Sequence, residues 1–194
     1  ARSSGASQTS LQSFLARVNY AYDNKYLLTV SARADGSSRF GPDSRWGYFP
    51  SAAFAWKIVE ENFMKAQKVL SDAKLRVSYG LGGNQDIGDY QYVATLASGG
   101  YILGNTLYSG TTNAVLPNPD LRWEKSAQFD FGVDLGFFQN RVRLTADYYR
   151  KESSDVLFDV GINPSSGFST VFKNIGGVEN KGFELELSTN LQKR

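Results

Sequence analysis

The chain has 194 residues and sets 21 Lys and Arg against 19 Asp and Glu, a formal charge of +2. That even balance lacks the clustered basic excess that nucleic acid demands of a partner. With no cysteine and no histidine, disulfides, thiolate nucleophiles, Ser-His-Asp catalysis and the usual zinc ligand sets are excluded.

The opening ARSSGASQTS carries neither Met nor a charged-then-apolar leader, so a processed chain or part of a longer one is expected. Period-two alternation then begins and recurs over Phe14–Tyr22, Tyr26–Ala34, Ser51–Ile58, Lys74–Tyr79, Ser126–Leu135, Val142–Tyr149 and Gly182–Ser188. One face reads Phe14, Ala16, Val18, Tyr20, Tyr22 in the first segment and Phe183, Leu185, Leu187 in the last. Every position of that face, in all seven segments, is apolar or aromatic. On the other face only Leu15, Ala21, Leu27, Ala53, Ala55 and Tyr149 are, among charges such as Arg17, Arg76, Asp130, Asp134, Asp147, Glu184 and Glu186. Such a pattern predicts β-strands with one apolar and one polar face. No apolar run reaches the roughly 18–20 residues of a membrane helix, but a barrel strand crosses lipid with about 9–11 residues, every second one apolar.

The connections alternate in length. Asp23-Asn24-Lys25 closes the first pair, with Asn24 suited to a left-handed turn conformation, and Gly136–Arg141 closes the fifth and sixth segments. Between the third and fourth, VEENFMKAQKVL is compatible with a short helix. The intervening connections, Asp35–Pro50, Leu81–Lys125 and Arg150–Lys181, are long. Short turns at one end, ringed by Tyr20, Tyr22, Tyr26, Phe137 and Phe138, and long loops at the other match an outer-membrane barrel. The fold class expected is all-β: an antiparallel up-and-down meander of about seven strands, part of a transmembrane barrel. A soluble β-sandwich binding module is the alternative, because its strands alternate too.

Four ordered strings carry a family resemblance: RADGSSRFGPDSRWGYFPSAAFAWKI (33–58), LRVSYGLGGNQDIGDY (75–90), NPDLRWEKSAQFDFGVDLGFFQNRVRLTADYYRKESSDVLF (118–158) and NIGGVENKGFELEL (174–187). They resemble the SusC/RagA-type TonB-dependent outer-membrane transporters of Bacteroidetes. The resemblance implies an outer-membrane location, import of oligosaccharides or peptides, a SusD-type surface lipoprotein as partner, and coupling to the TonB complex through an N-terminal plug that these residues do not contain. Residues 1–194 then form a partial barrel domain in contact with outer-membrane lipid. The resemblance implies no enzymatic activity and no cofactor.

Several local motifs have plainer readings than the chemistry they suggest. DGSSRFGPD (35–43) carries two carboxylates without EF-hand spacing and reads as a solvated loop rather than a calcium site. GLGGNQ (80–85) lacks the third glycine and the helix of a dinucleotide fingerprint, so its glycines are expected to let a strand end turn outward. Glu184 and Glu186 share one strand face and read as polar lining rather than a glycosidase pair. Whether Asp134 faces Arg143 across the fifth and sixth segments is left open, since that register would oppose Asp130 and Asp147. The candidate substrate-binding residues are the loop aromatics and one arginine: Arg39, Trp46, Tyr48, Tyr90, Tyr92, Tyr101, Tyr108 and Trp123. Their flat, amphipathic faces suit sugar rings and peptide side chains.

Overall fold

A computed structural model describes residues 7–190; the ends of the expected domain, 1–6 and 191–194, lie outside the described residues. Its strands are β1 (Leu11–Tyr22), β2 (Tyr26–Ser37), β3 (Trp46–Lys57), β4 (Leu70–Asn84), β5 (Leu96–Leu103), β6 (Thr106–Asn113), β7 (Glu124–Phe137), β8 (Val142–Ser154), β9 (Leu157–Gly161), β10 (Thr170–Asn174) and β11 (Gly177–Thr189). Seven of them form one antiparallel sheet in the order β1-β2-β3-β4-β7-β8-β11, while β5–β6 and β9–β10 form small hairpin sheets inside the long connections. All seven expected strands are present. Among the described residues no second sheet covers the apolar face of the large one: Phe183 is 85% and Leu185 75% exposed. The sandwich alternative therefore falls.

Register keeps the two faces separate. The row Tyr20–Leu28–Phe54–Val77–Phe131–Tyr148–Phe183 crosses all seven strands through direct Cα partners and stays apolar throughout. The next row, Val18–Val30–Ala52–Tyr79–Phe129–Arg150–Lys181, turns charged on its last two strands. On β1 that row lies two same-face positions below Phe14, the uppermost apolar residue; on β11 it lies one above Phe183. The polarity boundary thus descends by three same-face positions, about 20 Å of strand, across six strand spacings of about 29 Å. A flat boundary crossing the sheet in this way means strands inclined by about 35°, within the range that closes a transmembrane barrel.

At the short-turn end, Asp23 (φ 49°) and Asn24 (φ 51°) are both left-handed, and Lys25 N–H donates to the Tyr22 carbonyl at 3.0 Å. The rings of Tyr22, Tyr26 and Trp56 follow one another at 6.3 Å. Glu61 accepts from the Tyr26 hydroxyl (2.7 Å) and the Trp56 indole (3.1 Å), so these two rings keep their polar tips bonded, as interfacial aromatics require. The helix expected after β3 is two single 3-10 turns, Ile58–Glu60 and Asn62–Met64. Gln67 then ends the connection: its Oε1 accepts from the Val69 and Leu70 amides, which directs the chain into β4 at Leu70.

At the long-loop end the strands outrun their alternation. β2 continues through Ser37, so Asp35 and Ser37 are buried strand residues, not the solvated loop expected of DGSSRFGPD. β4 continues to Asn84, still paired with β7. The GLGGNQ glycines therefore do not end the strand. Instead β3–β4 pairing stops at Ser51–Gly80, and the Phe49 ring lies against Gly83 so closely that a Cβ there would overlap it. Phe49 joins Phe40, Ile87, Leu121 and Trp123 in the buried cluster on which the loops rest.

Candidate functional site

The polar face of the large sheet is one part of the site. Alternation sets Lys74, Arg76 and Ser78 of β4 beside Asp134, Gly132 and Asp130 of β7. Asp134 does not meet Arg143: its partner on β8 is Thr145, and Arg143 lies opposite Gly136. Arg76 instead donates to both Asp134 oxygens (2.8 and 3.0 Å) and reaches Asp147 of β8 at 3.0 Å. Gly132, between them in the row, makes this bridge possible, because a Cβ at 132 would stand 2.8 Å from Arg76 Nη2. Thr145 and Lys74 complete the surroundings of Asp134, and Ser78 with Gln128 donates to Asp130. Glu184 and Glu186 of β11 continue this polar face as lining, Glu184 directly opposite Asp147. Above the bridge, a recess of about 660 Å³ is bordered by short polar residues, Ser31, Ser51, Ser78 and Ser126 among them, with Arg17 and Lys151 at its sides.

The long connections form the other part. Asp89 joins three segments: it accepts from Ser7 Oγ, from Thr9 Oγ1 at 2.6 Å and from Arg39 Nε at 3.1 Å. The Ser7 and Thr9 hydroxyls and then the Arg39 guanidinium hold its carboxyl below the usual carboxylate range. Arg39 also donates to the Gln85 carbonyl, and Tyr90 OH reaches the Gln8 backbone at 3.3 Å. A second clamp uses two asparagines. Asn174 donates to the Arg122 and Asp155 carbonyls (2.7 and 2.9 Å) and accepts from the Arg122 amide, while Asn118 donates to the Phe172 carbonyl at 2.8 Å. These side chains fasten the β9–β10 hairpin to residues 118–122. Arg122 and Asp155 pair at 2.7 Å, which lowers the Asp155 carboxyl.

The eight candidate residues are dispersed. Tyr101 and Tyr108 are direct partners on β5–β6, stacked at 5.6 Å and exposed. Arg39 and Tyr90 both belong to the Asp89 junction, with half-buried Tyr92 near Gly41. Trp46 and Tyr48 are strand residues of β3, not loop residues. They share the apolar face with Ala52 and Phe54, and Tyr48 is 71% exposed there. Trp123 is buried in the loop cluster, its indole donating to the Arg45 carbonyl at 3.0 Å. Asp89, Asn118 and Asn174 were not singled out from sequence; the last two sit in the NPDLRW and NIGG strings, whose asparagines were the available signal. Among the described residues no group of three or more acidic, His or Cys side chains is placed to hold a metal ion.

Comparison with known proteins supplies the frame for this geometry. The family model described as TonB dependent receptor-like, beta-barrel, matches residues 1–192. TonB-dependent receptor P39 of Formosa agariphila is 43% identical over 183 residues, 94% of this chain and 17% of that protein. TonB-dependent receptor SusC of Bacteroides thetaiotaomicron is 41% identical over 189 residues, 94% of this chain and 19% of its own length. Among solved structures, the RagAB peptide importer in its closed-closed state superposes with a TM-score of 0.86 at 34% identity, covering 95% of this chain and 20% of that one. The chain spans about a fifth of the length of the curated relatives it matches.

Proposed function

The chain belongs to the TonB-dependent receptor-like β-barrel family, and on that premise we propose that it forms barrel wall and substrate entrance in a SusC/RagA-type importer of oligosaccharides or peptides. It is an outer-membrane β-barrel segment, and its relatives are receptors rather than enzymes. The observation that carries the proposal is the inclined polarity boundary. It leaves an apolar face for lipid and sets the Arg76–Asp134–Asp147 bridge and the serine-bordered recess on the aqueous side.

Within the importer, the polar face lines the lumen and the Asp89 and Asn174 clamps hold the extracellular loops in place. The β5–β6 hairpin projects its stacked Tyr101–Tyr108 pair from a stretch that has no charged residue between Asp89 and Asp120. Uncharged, aromatic and exposed surface suits neutral sugar rings or peptide backbone better than ionic ligands. A SusD-type lipoprotein covers this entrance, and TonB acts through the plug of the whole transporter.

Uptake by cells carrying the full-length transporter tests the reading. Labelled oligosaccharide or peptide enters the wild type in a TonB-dependent manner, and the Tyr101→Ala, Tyr108→Ala double variant takes up less at unchanged surface expression. Uptake that survives loss of TonB refutes the transport mode; equal uptake by the double variant removes the hairpin from the entrance.

A further inference from the structure

We propose that the outward face of β8 and β11 binds a phosphate group of the outer-leaflet glycolipid through Arg150 and Lys181. The site follows from register and alternation. Arg150 shares its face with Leu144, Ala146 and Tyr148, and Lys181 shares its face with Leu187, Leu185 and Phe183. The two cations are direct Cα partners, one same-face position above the Tyr148–Phe183 pair, whose rings lie 4.9 Å apart. They are therefore the first polar residues above the lipid-facing surface on these strands, at the long-loop and hence outer end. Headgroup phosphates occupy that layer.

The order of the charges supports this occupant. Cations directly opposed across a strand pair repel, yet the sequence puts a second like pair, Glu152 and Glu179, in the next row outward. Glu179 alone takes both cations, Arg150 at 2.7 Å and Lys181 at 2.8 Å, and Glu152 stands 3.6 Å from Arg150. Both cationic side chains remain half exposed or more (51% and 64%). The cationic row is nearest the lipid and the carboxylates stand about 6 Å farther out, as a same-face step along an inclined strand requires. A guanidinium and an ammonium on adjacent strands present a planar fork and a point charge to one phosphate. Their long stems also let the charged heads stay at the interface. A ladder serving only its own neutralisation has no need of cations on the lipid side.

The test uses the full-length transporter in detergent with bis-phosphorylated lipid A as probe, bound lipid being read by native mass spectrometry. The wild type is expected to retain it at least about tenfold better than the Arg150→Gln, Lys181→Gln double variant, and to retain the dephosphorylated lipid no better than that variant does. Glu179→Gln, which removes the competing carboxylate, is expected to raise retention. This arm decides the matter if the double variant does not fold. Inorganic phosphate at the same concentration is the control for the source, and it is expected not to displace the lipid. Equal retention by wild type and double variant, a fall with Glu179→Gln, or displacement by inorganic phosphate each overturns the proposal.

Discussion

Placing an arginine at Phe131 measures both the sidedness and the depth of the sheet. On β7 the apolar face runs over Ala127, Phe129, Phe131, Val133 and Leu135, so Phe131 is its centre, flanked in its row by Val77 and Tyr148. A charge at the bilayer midplane of a barrel costs about 2–4 kcal/mol, falling to about 0–1 near the interfaces. Leu135 lies four residues toward the short turns, about 13 Å along the strand, and a strand inclined by about 35° makes that about 11 Å of depth. The apolar band of such barrels is about 25 Å tall, so Leu135 sits at its edge. Phe131→Arg is therefore expected to cost about 2–4 kcal/mol and Leu135→Arg about 1 or less. Asp130→Arg is on the polar face and loses only the hydrogen bonds from Ser78 and Gln128, about 1 kcal/mol. Reversible denaturant unfolding of the full-length barrel in lipid vesicles, followed by tryptophan fluorescence, gives all three values. Equal costs at positions 131 and 135, or a cost at 130 as large as at 131, would refute the assignment of faces and of depth.

Three further outcomes are expected. Gly132→Ala crowds the Arg76 guanidinium and is expected to destabilise the barrel by about 1–3 kcal/mol; a neutral effect in the same unfolding assay would mean that the bridge is not held in this form. Ionised Asp89 is the bonded form and its pKa is lowered, so its contribution is present above the ordinary carboxylate pKa and is lost as pH falls through the lower folded value. Protection from hydrogen exchange over residues 85–92, taken against the intrinsic rate at each pH, should fall in that acid window for the wild type and already at neutral pH for Asp89→Asn; identical wild-type and variant protection at neutral pH would release Asp89 from its role. Residues 1–194 expressed alone leave β1 and β11 without outer partners and the apolar face uncovered, so they should associate in plain buffer and form no pore in liposomes. Sedimentation showing a monodisperse monomer would contradict a lipid-facing surface.

The same distinction between lipid and water explains which features were legible in the sequence. Inside the lipid zone one face meets hydrocarbon and the other water, so residues such as Phe129, Phe131 and Val133 are separated by Asp130, Gly132 and Asp134 in strict order. Past the zone both faces of a strand meet water or loop, and the alternation fades although the backbone ladder continues. That is why β2 runs on to Ser37 and β4 to Asn84 unannounced, and why Trp46 and Tyr48 looked like loop residues. The helix expected after β3 failed for a different reason: helical propensity in a short segment is weak beside the pull of the Glu61 and Gln67 side-chain bonds.

The strands of the large sheet, their two faces and the contrast between short turns and long loops are legible residue by residue, because bilayer and solvent act on every residue locally, according to its own side chain. Which residues meet across strands and loops depends on the assembled sheet. Arg76, not Arg143, meets Asp134, because register is a property of two strands rather than one. Asp89 meets Ser7 and Arg39 only once the β1, β2 and β4 ends converge, and Trp123 becomes core while Tyr101 and Tyr108 stay exposed because the loops pack on Phe40 and Phe49. Such contacts join residues far apart in the chain, and no boundary with solvent or lipid repeats their spacing in the sequence.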